Sequence, residues 1–360
     1  SKKDKIYNMK KILTIVSLIV VLVVTYTVAI NNHTVQDRLL ERAVTSMLPE
    51  PFLDDKDSLK AIVCGSRSPI FDVNRAETCI YIEAGDDVYL FDSGNDSTSN
   101  LQNWGIPWTN LKGVFYTHLH SDHIAELADV HLQSWIVGGR KEKLKVYGPK
   151  GVDLLTAGIE MAYSQDYIFR NKHHGESIAS SDAAGFDTKV ITENNKVVID
   201  ENGLKITSFE VLHYPVEPSL AFKIEYKGRS IIISGDTIFS EDLLQQSMNV
   251  DVLFHEVMNI GLLESMRKGA KAVGNDVIDI VLFDVQDYHI PVLEVVDIAK
   301  RANVGHLIFY HALPAPRNQI MEKIFYRDID KDFQNWTASI DGTTVTLPIG
   351  SDEIILSLTE

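Results

Sequence analysis

Four side chains of types that bind metal ions lie within six consecutive residues, 118–123, which read HLHSDH. His118 and His120 alternate with a leucine, so a strand end would place both imidazoles on the same side of the chain. Asp122 and His123 follow where a predicted helix begins, and its first turn would bring a carboxylate and a third imidazole close by. One metal ion does not use all four groups comfortably, so the cluster predicts two adjacent metal ions.

Further candidate ligands follow apolar runs that we interpret as strands. Each lies where a strand would emerge at one edge of a sheet, the geometry from which ligands converge on a site. They are His213 after 204–212, Asp236 after 231–233 and a Ser-Gly turn, His255 after 252–254, His311 after 307–310, and Asp92 after 89–91. A single histidine after a strand is more often structural, but a dinuclear site needs additional ligands and the chain has 12 histidines. We expect five others to be structural or exposed: His33, His131, His173, His174 and His306.

Composition describes a folded, acidic protein. The chain has 360 residues, 45% of them hydrophobic and 23% charged, enough for one large domain or two ordinary ones. Its formal net charge is −16; residues 1–11 carry a local +4, which leaves −20 for the rest. Since affinity for nucleic acids depends on lysine and arginine neutralising phosphates, this balance disfavours a nucleic-acid partner.

The N-terminus predicts export. Residues 12–30 form an uncharged run of 19 residues behind Lys10 and Lys11, with Met9 resembling a natural start. Such a run is either a signal peptide, with a cleavage site resembling 27–29, or an anchor that spans the membrane. We therefore expect residues 1–30 to be a signal or anchor, 31–58 a linker, and 59–360 an extracytoplasmic domain, periplasmic if soluble.

Two cysteines, Cys64 and Cys79, lie in segments that we predict to be neighbouring strands. An exported protein could join them in a disulfide. Two buried free thiols are the slightly favoured interpretation, and their spacing does not match a zinc-binding knuckle.

The remaining pattern predicts an α/β protein. One series of strands spans 59–117 and a second begins at residue 196, with helices predicted near 122–135, 151–167, 240, 291–302 and 317–327. Residues 170–195 are polar and read as an irregular surface excursion. Two sheets packed face to face, with helices outside, would bury the apolar face of every element.

These motifs, taken in order, resemble the metallo-β-lactamase superfamily of metal-dependent hydrolases. The pattern is His-x-His-x-Asp-His at 118–123, then His213, then Ser-Gly-Asp-Thr at 234–237, then His311. The resemblance covers about residues 59–348. It implies an αββα sandwich, two mixed β-sheets flanked by helices, with the metal ions at one edge of the sheets.

Within the superfamily, the chain is most similar to the ribonuclease Z and arylsulfatase branch. Residues 65–69 and 74–76 resemble its first loop between strands, and the end of the chain at 341–348 is similar to secreted arylsulfatase-like members. His255 and Glu256 resemble its His-Glu-Ala-Thr motif, although residues 257–258 depart from it. His289 stands where the branch has His-Ser-Thr-Ala, but here the sequence reads HIPV.

The resemblance implies roles for individual residues. His118, His120 and His213 would hold one metal ion, Asp122, His123 and His311 the other, and Asp236 would bridge them. Nitrogen and oxygen ligands suit Zn²⁺ and also allow Mn²⁺ or iron. Asp92 would orient a ligand through a hydrogen bond. The expected catalytic residues are Asp122, His289, His255 and Glu256, the last three forming a proton relay.

The expected function is an exported hydrolase of sulfate or phosphate esters, arylsulfatase-like or a phosphodiesterase. Two metal ions about 3.5–4 Å apart would share the attacking hydroxide. The expected partner is a small anionic ester, not a nucleic acid, with the membrane contacted through residues 12–30 and a homodimer as one oligomeric state. The alternatives are a ribonuclease Z that processes tRNA 3′ ends, a lactonase or β-lactamase-type acyl hydrolase, and a tethered binding module without activity.

Overall fold

The structure is a computed structural model that describes residues 2–47, 57–331 and 333–359. It divides into two compact units, Ser1–Pro51 and Phe52–Glu360.

The first unit contains two helices, α1 (Lys2–Ile30) and α2 (His33–Met47). Within α1, the apolar stretch Tyr7–Ile30 is long and apolar enough to cross a membrane, a property that signal sequences share. Helix α2 occupies much of the predicted linker, because helix-forming Gln, Arg, Leu and Glu residues dominate 36–42. The Pro-containing part of that predicted linker, residues 48–56, lies outside the described residues.

The second unit is built on strands and helices in mixed order. Its strands are β1 (Ser58–Gly65), β2 (Cys79–Ala84), β3 (Asp87–Phe91), β4 (Leu111–Phe115), β5 (Leu144–Gly148), β6 (Phe186–Val190), β7 (Lys196–Glu201), β8 (Leu204–His213), β9 (Val216–Tyr226), β10 (Arg229–Ile233), β11 (Val252–Met258), β12 (His306–Leu313), β13 (Trp336–Ala338), β14 (Thr343–Pro348) and β15 (Ile355–Leu358). Its helices are α3 (Ser97–Asn103), α4 (Ser121–Ile124), α5 (Leu127–Leu132), α6 (Val152–His174), α7 (Glu241–Gln246), α8 (Ile260–Ala272), α9 (Asp276–Asp284), α10 (Val292–Arg301) and α11 (Gln319–Phe325).

Two mixed sheets enclose the main core. One has the order β15-β14-β1-β2-β3-β4-β5-β6, and the other the order β13-β12-β11-β10-β9-β8-β7. Between them, the ring of Phe115 packs on Phe91 of the same sheet at 4.9 Å and on Phe222 of the other sheet at 5.4 Å, centroid to centroid. A separate apolar cluster on the outer face of each sheet is covered by helices. The predicted sandwich of two mixed sheets flanked by helices is confirmed.

Parallel pairing brings the ends of several strands to one edge. Strands β3 and β4 run parallel, as do β10, β11 and β12. Their carboxyl ends therefore deliver the residues that follow them to the same edge of each sheet.

Helix α10 confirms the helix predicted over 291–302, since its buried positions recur at helical spacing.

Other segments differ from the sequence-based expectation. Helix α6 continues to His174, so the predicted surface excursion begins only at Gly175, whose φ of 71° ends the helix. Residues 259–287, to which the sequence assigned no element, form α8 and α9. Cys64 and Cys79 are joined in a disulfide, which corrects the slightly favoured expectation of free thiols.

Candidate metal centre

The HLHSDH segment follows β4 and runs into α4. His118 and His123 are fully buried, Asp122 is nearly so, and His120 reaches the surface. Asp92, at the end of the adjacent β3, accepts hydrogen bonds from the backbone N–H and the hydroxyl of Thr117, both at 2.9 Å. This contact fixes the start of the segment against the neighbouring strand.

The second sheet supplies three further side chains at the same edge. His213 is the last residue of β8, and Asp236 follows β10 after Gly235, whose φ of 60° makes the turn. His311 lies inside β12 as the additional residue of a β-bulge, because Tyr310 pairs with Glu256 and Ala312 with Val257. A bulge re-aims the side chain that it adds, and His311 accordingly has a φ of 47°.

The side chains form two groups around Asp236. In the first group, Nδ1 of His120 lies 2.9 Å from Nε2 of His118 and 3.4 Å from Nε2 of His213. In the second, Oδ2 of Asp122 lies 3.2 Å from Nε2 of His311 and 3.6 Å from Nε2 of His123. The structure thus brings together all seven residues that the sequence singled out as ligands.

Asp236 connects the two groups. Its Oδ2 lies 3.7 Å from Nε2 of His118 and 3.9 Å from Nε2 of His213. The same oxygen lies 3.4 Å from Nε2 of both His123 and His311. One carboxylate therefore faces both sets of imidazoles, as a bridging ligand must.

The pKa values of the candidate ligands indicate that the site stabilises positive charge. Burial would lower the pKa of His311, but the charges of Asp236 and Asp122 and the hydrogen bond to Asp122 together outweigh it and raise that pKa to about 9. The pKa of His123 is likewise raised well above its usual value by Asp236 and Asp122 in spite of burial. Burial would raise the pKa of Asp122, yet the charges of His123 and His311 and the hydrogen bond to His311 together lower it to about 2. Protons on imidazoles thus compensate ionised carboxylates, a role that bound cations would take over.

The donor set fits a pair of divalent ions. Among the described residues, Nε2 of His123 and Oδ1 of Asp236 are buried without any hydrogen-bond partner. Buried polar atoms without a partner are rare unless a ligand completes them. Imidazole nitrogens and carboxylate oxygens suit zinc, manganese or iron, so the centre is built to hold divalent metal ions.

A histidine–glutamate pair adjoins the centre. Nδ1 of His289 lies 3.0 Å from Oε1 of Glu256, which also accepts the Thr237 N–H at 3.1 Å. A ring nitrogen of His289 lies within 4.8 Å of ligand atoms of Asp236 and His311. Burial lowers the pKa of His289 to about 4 and raises that of Glu256 well above its usual value, so burial favours an uncharged pair.

His255 stands apart from this pair. It precedes Glu256 on β11, and successive side chains of a strand point to opposite faces. Its Nδ1 donates to the backbone oxygen of Glu256 at 2.7 Å, while its buried Nε2 has no hydrogen-bond partner in the described part of the chain. The structure therefore brings His289 and Glu256 together and leaves His255 outside their hydrogen bond.

The sequence analysis missed two residues that support the metal centre. Thr117 binds Asp92, and the backbone oxygen of Tyr288 lies 2.9 Å from Nδ1 of His213, which leaves Nε2 of that ring for the centre. The position of Thr117 directly before His118 was a usable signal. The role of Tyr288 was not readable, because a backbone oxygen carries no sequence signature.

Several known proteins with related sequences are named ribonuclease Z. The ribonuclease Z of Mycobacterium marinum (strain ATCC BAA-535 / M) is 30% identical over 259 residues, which is 71% of this chain and 87% of the relative. The ribonuclease Z of Mycolicibacterium paratuberculosis matches with the same identity and coverage. Neither is an arylsulfatase, so the alternative of a ribonuclease Z is supported better than the arylsulfatase-like reading.

Solved structures agree on the fold. The metallo-beta-lactamase fold protein YhfI from Bacillus subtilis has a TM-score of 0.58 at 17% identity, covering 81% of this chain and 100% of that one. The short form of human tRNase Z has a TM-score of 0.55 at 18% identity, with the same coverage.

The expected partner is corrected by these relatives. A small anionic ester as substrate, with nucleic acid disfavoured, is contradicted, because the matching relatives are named for ribonuclease activity. The prediction was wrong because it used the net charge of the chain after residue 11. That sum does not describe the charge of the groups that would contact a phosphate.

The model of the metallo-beta-lactamase superfamily matches residues 73–268, which contain most of the centre. With the ligand geometry and the fold, this match shows that the chain is a metal-dependent hydrolase of the metallo-beta-lactamase superfamily.

Proposed function

We propose that this chain is a dinuclear metal-dependent phosphodiesterase that cleaves RNA, of the tRNA 3′-processing ribonuclease Z type. The observation that carries the proposal is the single carboxylate of Asp236 facing two ligand groups, next to the His289–Glu256 pair. The similarity to proteins named ribonuclease Z over 87% of their length supports RNA as the substrate.

The proposed metal ligands are those of the two groups. His118, His120 and His213 would hold one ion and Asp122, His123 and His311 the other, with Asp236 available to both. Two such ions would supply an activated water and would neutralise charge on the phosphate. Zinc is the proposed metal, because imidazole nitrogens and carboxylate oxygens are ligands of catalytic zinc.

His289 provides the proton for the leaving oxygen. Since Nδ1 is bound to Glu256, Nε2 is the nitrogen that remains for the substrate. Glu256 orients the ring. It transfers its own carboxyl proton to Nδ1 after Nε2 has given a proton to the leaving oxygen. General acid catalysis of this kind contributes about 10²–10⁴-fold to the rate. His255 takes no part in the His289–Glu256 hydrogen bond; its Nδ1 donates to the backbone oxygen of Glu256.

We further propose that the body is extracytoplasmic, held or delivered by the N-terminal helix. The span-length helix over 7–30 supports this placement, as does the disulfide between Cys64 and Cys79. Disulfides persist in oxidising compartments and are rare in the reducing cytosol. Fractionation of cells, with the redox state of both cysteines measured by thiol labelling, tests the placement; reduced cysteines in the cytosol would contradict it.

The function is tested on the full chain in detergent micelles, loaded with zinc. A precursor tRNA transcript with a 3′ trailer is incubated with the wild type and with His120→Ala, and the new termini are sequenced. We expect endonucleolytic cleavage by the wild type and loss of both metal and activity in the variant. Intact RNA in the presence of two bound metal equivalents would refute an RNA substrate.

A further inference from the structure

A groove of about 930 Å³ opens beside the metal centre, with His213 in its wall. It runs along the β8–β9 hairpin and reaches the start of α7. Because His213 belongs to the proposed ligand set, whatever part of the substrate adjoins the cleaved phosphate on this side enters the groove. The side chains that line the groove therefore indicate the chemical nature of that part of the substrate.

The floor of the groove is apolar. Buried Ile191, Val211 and Leu220 lie there, as does the partly exposed Ile238. Tyr214 follows His213 directly and stands 76% exposed at the wall. A flat aromatic side chain over an apolar floor is suited to a planar, uncharged group, since a base stacked on an aromatic ring gains binding energy whatever its sequence.

The rim is acidic. Its lining contains a single lysine, Lys150, and six carboxylate side chains: Glu193, Glu210, Glu217, Glu241, Asp242 and Asp287. Among the described residues, only Glu193 of the six has an ion-pair partner, Lys196; the other five, which include Glu210, Glu217 and Asp242, have none. Like charges this close repel, so the groove excludes the phosphates of a polynucleotide backbone. It leaves room for the neutral part of a nucleotide.

We propose that this groove is the subsite for one unpaired nucleobase next to the cleaved phosphate, with Tyr214 as the stacking surface and the rim carboxylates as hydrogen-bond acceptors. The proposal rests on the proposed function for its substrate. Carboxylates accept hydrogen bonds from exocyclic amino groups, as they do from N4 of cytosine. The groove therefore prefers cytosine, adenine or guanine, whose exocyclic amino group offers two N–H donors, over uracil, whose base offers only the N3–H.

The first arm of the test does not depend on cleavage. Binding of cytidine, adenosine and uridine to the zinc-loaded full chain in micelles is measured by saturation-transfer NMR. We expect cytidine and adenosine to bind at least several-fold more tightly than uridine, and Tyr214→Ala to weaken all three while Tyr214→Phe retains binding. Metal content is measured in each variant, because Tyr214 adjoins a ligand. Equal binding of the three nucleosides, or binding indifferent to Tyr214→Ala, overturns the proposal.

The second arm uses the RNA that the enzyme cleaves, with each base flanking the cleaved bond varied in turn. At one flanking position, kcat/KM for an amino-bearing base should exceed that for uracil by roughly tenfold, as hydrogen bonds to charged groups allow. The triple variant Glu210→Gln/Glu217→Gln/Asp242→Asn should reduce this ratio below about threefold. The matched control Glu142→Gln/Asp200→Asn/Glu322→Gln changes the net charge equally at exposed sites outside the groove, and should preserve the ratio.

The two arms separate the failure of this inference from that of the proposed function. If RNA stays intact while nucleosides bind selectively, the RNA substrate fails and the base subsite stands. If RNA is cleaved without preference at either flanking position, the function stands and the subsite is refuted. The subsite is also refuted if the triple variant raises kcat/KM equally for every base. The carboxylates would then act only by repelling the phosphates of the RNA.

Discussion

Oδ2 of Asp92 lies 2.8 Å from Nδ1 of His123, and the opposite nitrogen of that ring, Nε2, faces Asp122 and Asp236. The carboxylate thus fixes the orientation of a ring that has no hydrogen-bond partner at Nε2 among the described residues. Asp92 has a φ of 60°, a conformation that is costly for most residues but tolerated by Asp and Asn.

Replacing this carboxylate should weaken metal binding. In Asp92→Asn, the backbone conformation is retained while the charge facing His123 is lost, so we expect about 10–100-fold weaker affinity for the second metal ion. Competition titration with a chromophoric chelator measures this. Asp129→Asn, at an exposed position on α5, is the control. Equal affinities in both variants would show that Asp92 does not support the centre.

Loss of His289 should separate metal binding from turnover. His289→Ala is expected to retain two metal equivalents and to lose about 10²–10⁴-fold in kcat, because the leaving oxygen then departs without a proton donor. Metal analysis and steady-state kinetics give both quantities. Because His289 also lies within reach of Asp236 and His311, a fall in metal content would instead identify it as a ligand.

Glu256 should act through His289. Glu256→Gln keeps a hydrogen-bonding oxygen near Nδ1 but removes the titrating group, so we expect kcat to fall with little change in KM. The pH dependence of kcat should no longer show the inflection that the ionisation of the His289–Glu256 pair produces. An unchanged profile with a lower melting temperature would mean that Glu256 has only a structural role.

His131 should make the fold sensitive to mild acid. Its buried Nε2 accepts the Gly185 N–H at 3.0 Å, and burial lowers its pKa from 6.5 to about 4. The unfolded chain therefore binds a proton more readily, and the free energy of unfolding falls as the pH drops from 6.5 toward 4. Between pH 7 and 5 this group should cost about 2 kcal/mol. Urea denaturation should show a shallower pH dependence for His131→Gln, which still offers an acceptor; equal slopes would contradict the assignment.

The disulfide should stabilise the body. It closes a loop with a sequence separation of 15 residues, for which loop entropy corresponds to about 3 kcal/mol. Cys64→Ala/Cys79→Ala, and the wild type in reductant, should unfold at lower denaturant concentration by similar amounts. The doubly substituted chain should be insensitive to reductant, which controls for other effects of the reducing agent.

The fold was largely readable because apolar periodicity reports burial directly. Strand β2 matches its predicted range, and α10 falls within its predicted range. Strands β5, β6, β13 and β15 and helices α3, α8 and α9 were missed. Several large apolar residues of α9, such as Val277 and Ile280, are exposed, so its pattern does not describe a helix with one buried face. The excursion predicted after residue 170 began too early, because a polar helix end such as 170–174 resembles a loop in sequence.

By itself, the sequence predicted the types and the order of the candidate ligands, because metal chemistry restricts which side chains occur at such spacing. It also determined the two-sheet architecture. Only the tertiary structure decided that Asp236 faces both histidine groups, that Glu256 rather than His255 contacts His289, and that Cys64 meets Cys79. These relationships join residues far apart in the chain, or depend on which face of a strand points inward. Such distances are set by strand pairing and bulges, which local sequence patterns do not encode.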